Sequence, residues 1–268
     1  VIVTTINVNG VRAAVRERSA ENLGLLAWLA GSAADVVCLQ ETRADDAQLA
    51  EALAPALDNG WQLASAEPHL RGRSGVAILS RTPFVDVRIG LPATEFESHG
   101  RYLEVDLPGG ATVGSLYVHT GEAGTDRQLE KERFMSELGR RMSELAAGGR
   151  PAVLCGDWNV AHTENDIKAW KANVKKSGFL PSERQWLTEL MDAGWVDVMR
   201  RLHPDRPGPY SWWSWRGKAF DNDAGWRIDY HLATASLADR VLDARVEKPA
   251  AYALRWSDHA PVTVEFGD

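Results

Sequence analysis

Cysteine is scarce in this sequence, two residues in a chain of 268. That excludes the small secreted scaffolds held together by several disulfides and fits a reducing, cytoplasmic setting. Long apolar runs are missing too, so no membrane-spanning helix is expected. Residues 1–8 lack the basic start and small-residue cleavage site of a signal peptide, and the valine start reads as processing, not secretion. No solenoid repeat or low-complexity linker divides the chain, so one domain over 1–268 is expected, and nothing calls for more than a monomer. Basic charge also falls short: 30 Lys and Arg stand against 37 Asp and Glu, a net charge of −7. Such a chain has no general attraction for a polyanion, and any contact with one has to come from a local basic face.

What is present points elsewhere. Both cysteines sit in apolar, strand-like runs, Val36-Val37-Cys38-Leu39 and Val153-Leu154-Cys155, and read as small buried hydrophobes. Tryptophan is abundant, eleven residues, with Trp195, Trp212, Trp213, Trp215, Trp226 and Trp256 in the C-terminal part. Its large ring fills cores and also stacks on bases and sugars. Short β-rich runs recur at 1–8, 35–40, 75–80, 102–107, 111–119, 151–155, 227–233 and 260–266. Between them lie helical patterns: an apolar face at 22–30, and a segment after Thr125 with Phe134, Leu138, Met142 and Leu145 at helical spacing. A third follows Pro181, with Trp186, Leu187, Leu190 and Met191 inward. Thr125-Asp126-Arg127-Gln128 and Ser182-Glu183-Arg184-Gln185 both have the form of a capping box.

Several apolar runs end in polar residues: Asn7 and Asn9, Gln40-Glu41, His119, Asp157 and Asn159, and Asp258-His259 before the last run. Rigid strands that deliver such groups to one edge build a crevice for ligands. The residue types suit phosphodiester hydrolysis, which needs a hard cation, an activated water and donors for the phosphate oxygens. Magnesium takes few carboxylates and keeps several waters, which fits Glu41 and Asp258 with the neutral oxygen of Asn7. Asp157 and Asn159, two apart on an extended segment, share a face; one would activate water and the other donate to phosphate. His259 needs a carboxylate behind its second nitrogen to stay charged, and Asp229 in the preceding run is the candidate. Lys168, Lys171, Lys175, Lys176, Arg184, Arg216 and the pair Arg71 and Arg73 offer a local basic face, with Arg73 the substrate contact expected in the 72–75 loop. Each residue alone also has an ordinary structural reading, as a turn, a solvated strand end or an ion-pair partner.

The motifs taken in order resemble the exonuclease III family of DNA-repair nucleases, within the endonuclease/exonuclease/phosphatase superfamily. They are Asn7-Val8-Asn9-Gly10-Val11-Arg12, Leu39-Gln40-Glu41-Thr42, Gly72-Arg73-Ser74-Gly75-Val76-Ala77, Tyr117-Val118, and Cys155-Gly156-Asp157-Trp158-Asn159-Val160-Ala161-His162. Tyr210-Ser211-Trp212-Trp213-Ser214-Trp215-Arg216, Gly225-Trp226-Arg227-Ile228-Asp229-Tyr230 and Ser257-Asp258-His259-Ala260-Pro261 complete the series. The resemblance implies an α/β four-layer sandwich, two packed mixed β-sheets flanked by helices. It implies Glu41 as the main ligand of Mg2+ (or Mn2+), with Asn7 and Asp258 nearby. Asp157 would activate water with Asn159 as partner, His259 and Asp229 would contact the phosphate, and the Tyr117 hydroxyl would lie at the scissile bond. Trp212, Trp226 and Ile228 would form the apolar pocket for an extruded abasic sugar. The substrate implied is duplex DNA with abasic sites or 3′ ends.

Two positions depart from the family pattern. His119-Thr120 stands where the family carries Pro-Asn, leaving the Thr120 hydroxyl as the substrate donor there. Asn9, expected beside the substrate, stands where some relatives carry a carboxylate, so weaker or single-ion binding is expected. Two other readings share these motifs: a lipid-phosphate phosphatase or non-specific nuclease on the same fold, and an inactive relative that only binds nucleic acid. The intact set Glu41, Asp157, Asn159, Asp229 and His259 argues against the second.

Overall fold

Continuously apolar strands must be covered on both faces, and the chain satisfies this by packing two sheets against each other. The computed structural model describes residues 1–68, 70 and 72–267; Arg71 lies outside the described residues. Strands β1 (Ile2–Asn7), β2 (Val36–Gln40), β3 (Gln62–Ala66) and β4 (Val76–Ser80) open the first sheet. Strands β5 (Asp86–Ile89), β6 (Tyr102–Asp106), β7 (Thr112–Tyr117), β8 (Ala152–Asp157), β9 (Trp195–Asp197) and β10 (Asp229–Thr234) form the second. Strands β11 (Val241–Val246) and β12 (Val262–Phe266) return to the first.

The strand orders are β11-β12-β1-β2-β4-β3 and β5-β6-β7-β8-β10-β9. Each sheet has one parallel pair at its centre, β1 with β2 and β7 with β8, among antiparallel neighbours. A parallel pair needs a crossover connection. The first crosses through short helices at Val11–Ala14 and Gly24–Gly31, the second through the long helix Asp126–Ala147. Cys38 and Cys155 are fully buried, free thiols in the cluster between the sheets. Phe134, Leu138 and Met142 cover the outer face of the second sheet, and Leu25, Leu29, Leu49 and Leu53 that of the first. The result is helix, sheet, sheet, helix, the four-layer order that the resemblance implies.

Neither capping box forms. The Thr125 hydroxyl donates to the Glu122 carbonyl, and Gln128 turns inward to Glu183. The helix Pro181–Asp192 starts one residue before the expected box. Its N-terminus is closed by Glu183, whose carboxylate accepts the N–H groups of Gly178 and Leu180 at 2.7 and 3.0 Å. The other oxygen of Glu183 forms a buried ion pair with Lys131 at 2.7 Å and accepts from Gln128, which takes Gln128 away from the expected box. The helix Asp46–Asp58 and the strands β3, β5, β9 and β11 were not expected from the sequence pattern. Strands β5 and β11 are largely exposed edges, where burial imposes no clear alternation.

Candidate active site

The C-terminal ends of β1, β2, β7 and β8 open on one edge of the sandwich, where the register sets Asn7 beside Gln40 and Tyr117 beside Asp157. The antiparallel β10 brings Asp229 directly opposite Asp157. Close packing there depends on Gly156: a Cβ would fall 1.9 Å from the Leu116 carbonyl. Past the strand ends, Asn9, Glu41 and Asn159 all take positive φ near 50°. Such backbone is uncommon for residues other than glycine, and for Glu41 it has no Asn-type side chain to favour it.

Asn7 links the two sheets. Its amide donates to Glu41 and to Asp157, both at 2.9 Å, and its oxygen accepts the Asn9 N–H at 2.9 Å. Fully buried, it braces the two carboxylates against each other. Asn9, half-buried, donates to Asp258 at 2.9 Å, while the Trp212 indole donates to the other Asp258 oxygen at 3.1 Å. The Asn159 amide is likewise occupied, on the Val118 carbonyl at 2.9 Å and on Asp157 at 3.3 Å. It is spent on holding Asp157 and not free to donate to a phosphate.

His259 Nδ1 lies 2.8 Å from Asp229 Oδ2, and Nε2 lies 3.6 Å from Asp157. Burial would discharge this imidazole, but Asp229 and Asp157 outweigh it and raise its pKa to about 10. Asp157 is pushed the other way for a carboxyl, from 3.8 to about 7: burial is the chief cause, His259 opposes it, and Asp229 and Glu41 add repulsion. Burial, with Glu41 and Asp157, also raises the Tyr117 phenol, which therefore stays a neutral O–H donor.

A cavity of about 250 Å³ is lined by Glu41, Tyr117, Thr120, Asp157, Asn159, Trp212, Trp226, Ile228, Asp258 and His259, with Ser177 and Gly178 at its side. Trp212 and Trp226 meet edge-to-face, ring centroids 6.2 Å apart. Glu41, Tyr117 and Thr120 also line an adjoining cavity of about 420 Å³ that holds Arg43, Arg73, Arg101 and Arg127, so the two form one groove. The acidic chain thus has a basic wall at this edge. Lys168, Lys171, Lys175 and Lys176 are exposed, whereas Arg184 stacks on Phe179 and donates to the His162 carbonyl. Trp213 is core and Trp215 is rim, stacked under Arg255.

Sequence reasoning passed over Arg43, which forms an ion pair with Glu41, and Arg101, stacked on the Tyr117 ring at 4.9 Å. Spacing of two residues from Glu41 was the available signal for Arg43. Ser211 and Ser257 lie inside quoted motifs but had no assigned work; Ser211 donates to Asp229 at 2.5 Å and Ser257 to the Asn7 carbonyl at 2.6 Å.

Residues 4–259 match the model of the Endonuclease/Exonuclease/phosphatase family. The exodeoxyribonuclease of Bacillus subtilis is 34% identical over 256 residues, 96% of this chain and 95% of that protein. A 3′-5′ exonuclease from Neisseria meningitidis superposes with a TM-score of 0.89 at 30% identity, covering 99% of both chains. An AP endonuclease from Archaeoglobus fulgidus superposes with a TM-score of 0.88 at 28% identity, again over 99% of both.

Proposed function

We propose, from the premise that the chain belongs to the endonuclease/exonuclease/phosphatase family, that it is a DNA-repair nuclease. It hydrolyses the backbone 5′ to abasic sites and removes nucleotides or blocking groups from 3′ ends. Relatives named exodeoxyribonuclease and AP endonuclease support this substrate class. The observation that carries the chemistry is a pair of raised pKa values with opposite consequences at one edge: a charged His259 within 3.6 Å of an Asp157 poised near neutrality.

In this reading Asp157 accepts the proton of the attacking water, held in place by Asn7 and by Asn159. His259, kept charged by Asp229, presents its Nε2 proton to a non-bridging phosphate oxygen. The Tyr117 hydroxyl donates from the opposite wall. Glu41 and Asp258, both facing the cavity with oxygen donors only, suit a hard divalent cation of the magnesium or manganese kind. When bound, such an ion supplies neutralisation of the phosphate and of the leaving 3′ oxygen. Arg43 occupies one side of Glu41, which leaves few protein ligands and favours a weakly held ion.

Trp212, Trp226 and Ile228 form the apolar wall beside these groups, sized for a sugar without a base; an intact nucleotide has to lose pairing and stacking to enter. Arg73 and Thr120 extend the phosphate track along the groove. All of these residues come from one chain, so a monomer suffices. The test is nicking of a duplex with a tetrahydrofuran abasic analogue in Mg2+, alongside intact duplex, recessed 3′ ends and phospholipid. Selective cleavage of the abasic duplex and 3′ ends is expected. No nicking in Mg2+ or Mn2+ would falsify the enzyme reading, and release of phosphate from lipid alone would move the chain to another branch of the family.

A further inference from the structure

A second group of metal-capable side chains lies away from Glu41. His99 (between β5 and β6), His119 (just past β7) and Glu130 (on the helix Asp126–Ala147) each offer one ligand atom, all within 4.8 Å of one another. His119 is 6% exposed, and neither of its ring nitrogens has a hydrogen-bond partner among the described residues. Nitrogens left so inside a fold are costly unless something that is not protein satisfies them. Nε2 lies 3.3 Å from Glu130 Oε1 without hydrogen-bond geometry. Two ligands on a tetrahedral zinc, with bonds of about 2.1 Å, stand roughly 3.4 Å apart. The His119 to Glu130 separation is therefore already that of a ligand edge.

The rings are set by packing. Phe96 meets His99 and His119 edge-on, at 5.2 and 5.8 Å between centroids, and Phe134 meets His119 at 5.2 Å. Burial, then Arg101, Lys131 and Arg133, hold the His119 imidazole in its neutral, ligating form. The same cations disfavour an ion held by charge alone, which selects against magnesium and for an ion bonding to imidazole nitrogen.

We propose that His99, His119 and Glu130 form a site for a zinc-class divalent cation, separate from the oxygen-lined cavity at Glu41. With three protein ligands, one position stays open, at the wall of the larger cavity that His119 and Glu130 line. The ion pins the 90–101 loop and the end of β7 to the long helix, fixing one side of the groove. This does not depend on the nuclease reading.

The experiment titrates the full chain with Zn2+, and with Co2+ as a spectroscopic probe, in saturating Mg2+ to fill oxygen sites. One equivalent per chain is expected, with the intense visible bands of a low-coordinate cobalt centre and a rise in melting temperature. Glu130→Gln, whose side chain is 39% exposed and so alters no core, and His99→Gln should each weaken binding on the order of 100-fold with unchanged circular dichroism. Uptake by both variants with the wild-type affinity and spectrum overturns the proposal, as does no uptake by wild type in Mg2+.

Discussion

Two buried charge clusters border the same strand, β10, and they behave in opposite ways. At one, Arg227 binds Asp166 at 2.7 Å and Asp197 at 2.7 Å, and Arg200 adds a second cation on Asp166. Two acids face two guanidiniums, and although burial opposes it, the Asp166 pKa is held well below its ordinary value by Arg227 and Arg200. At the other, two residues along, Asp229 faces Asp157 in register, Glu41 lies nearby, and among the described residues His259 is the one cation in contact with the two aspartates. Like charges opposite each other on paired strands are destabilising. Asp157 is pushed up to about 7, and the second oxygen of Asp229 has no hydrogen-bond partner among the described residues. Composition hardly separates the clusters. Charge balance does: the charge-balanced cluster holds the fold, and the acid-rich one stores unmet demand for a proton or a cation.

The largest expected break in that comparison is Asp157→Asn. Nicking of the abasic duplex should fall about 100- to 10,000-fold, as for loss of a general base, while stability is kept. Because the folded pKa of Asp157 is raised, its contribution is full below the ordinary carboxyl range and is lost as pH rises through about 7. The neutral amide should therefore match or exceed wild type in melting temperature at alkaline pH. A large loss of stability instead would make Asp157 a structural acid like Asp166.

Arg227→Met should do the reverse. Leaving Asp166 and Asp197 buried without their cation costs about 3–5 kcal/mol in urea unfolding, with cleavage per folded molecule changed only a few-fold. Smaller again is the pH response. Cleavage should rise with pH as Asp157 loses its proton near 7, and Asn7→Ala, which removes a donor favouring the carboxylate, should move that limb upward. An unmoved limb would dissociate Asn7 from the base. Asp229→Asn should lower the pKa of His259, so that cleavage declines at a less alkaline pH, within about ten-fold of wild type near neutrality.

The strands that run through the centre of each sheet were legible because both faces are buried and the sequence shows it as unbroken apolar runs, as in Val36–Gln40 and Ala152–Asp157. The edge strands Asp86–Ile89 and Val241–Val246 were not, since solvent accepts either face. The same division holds at the site. The sequence by itself determined which polar groups end or border the central runs, Asn7, Glu41, His119, Asp157 and His259, because run ends are local and ordered along the chain; Tyr117 came only with the family resemblance. Only the tertiary structure decided what each group does with its hydrogen bonds. Asn7 and Asn159 have the chemistry of ligand and donor, yet sheet packing spends their amides on Asp157 and its neighbours. A side chain's capacity is written in its residue type; which partner claims it depends on distances across 150 residues of chain, from Asn7 to Asp157, that only close packing of two sheets sets.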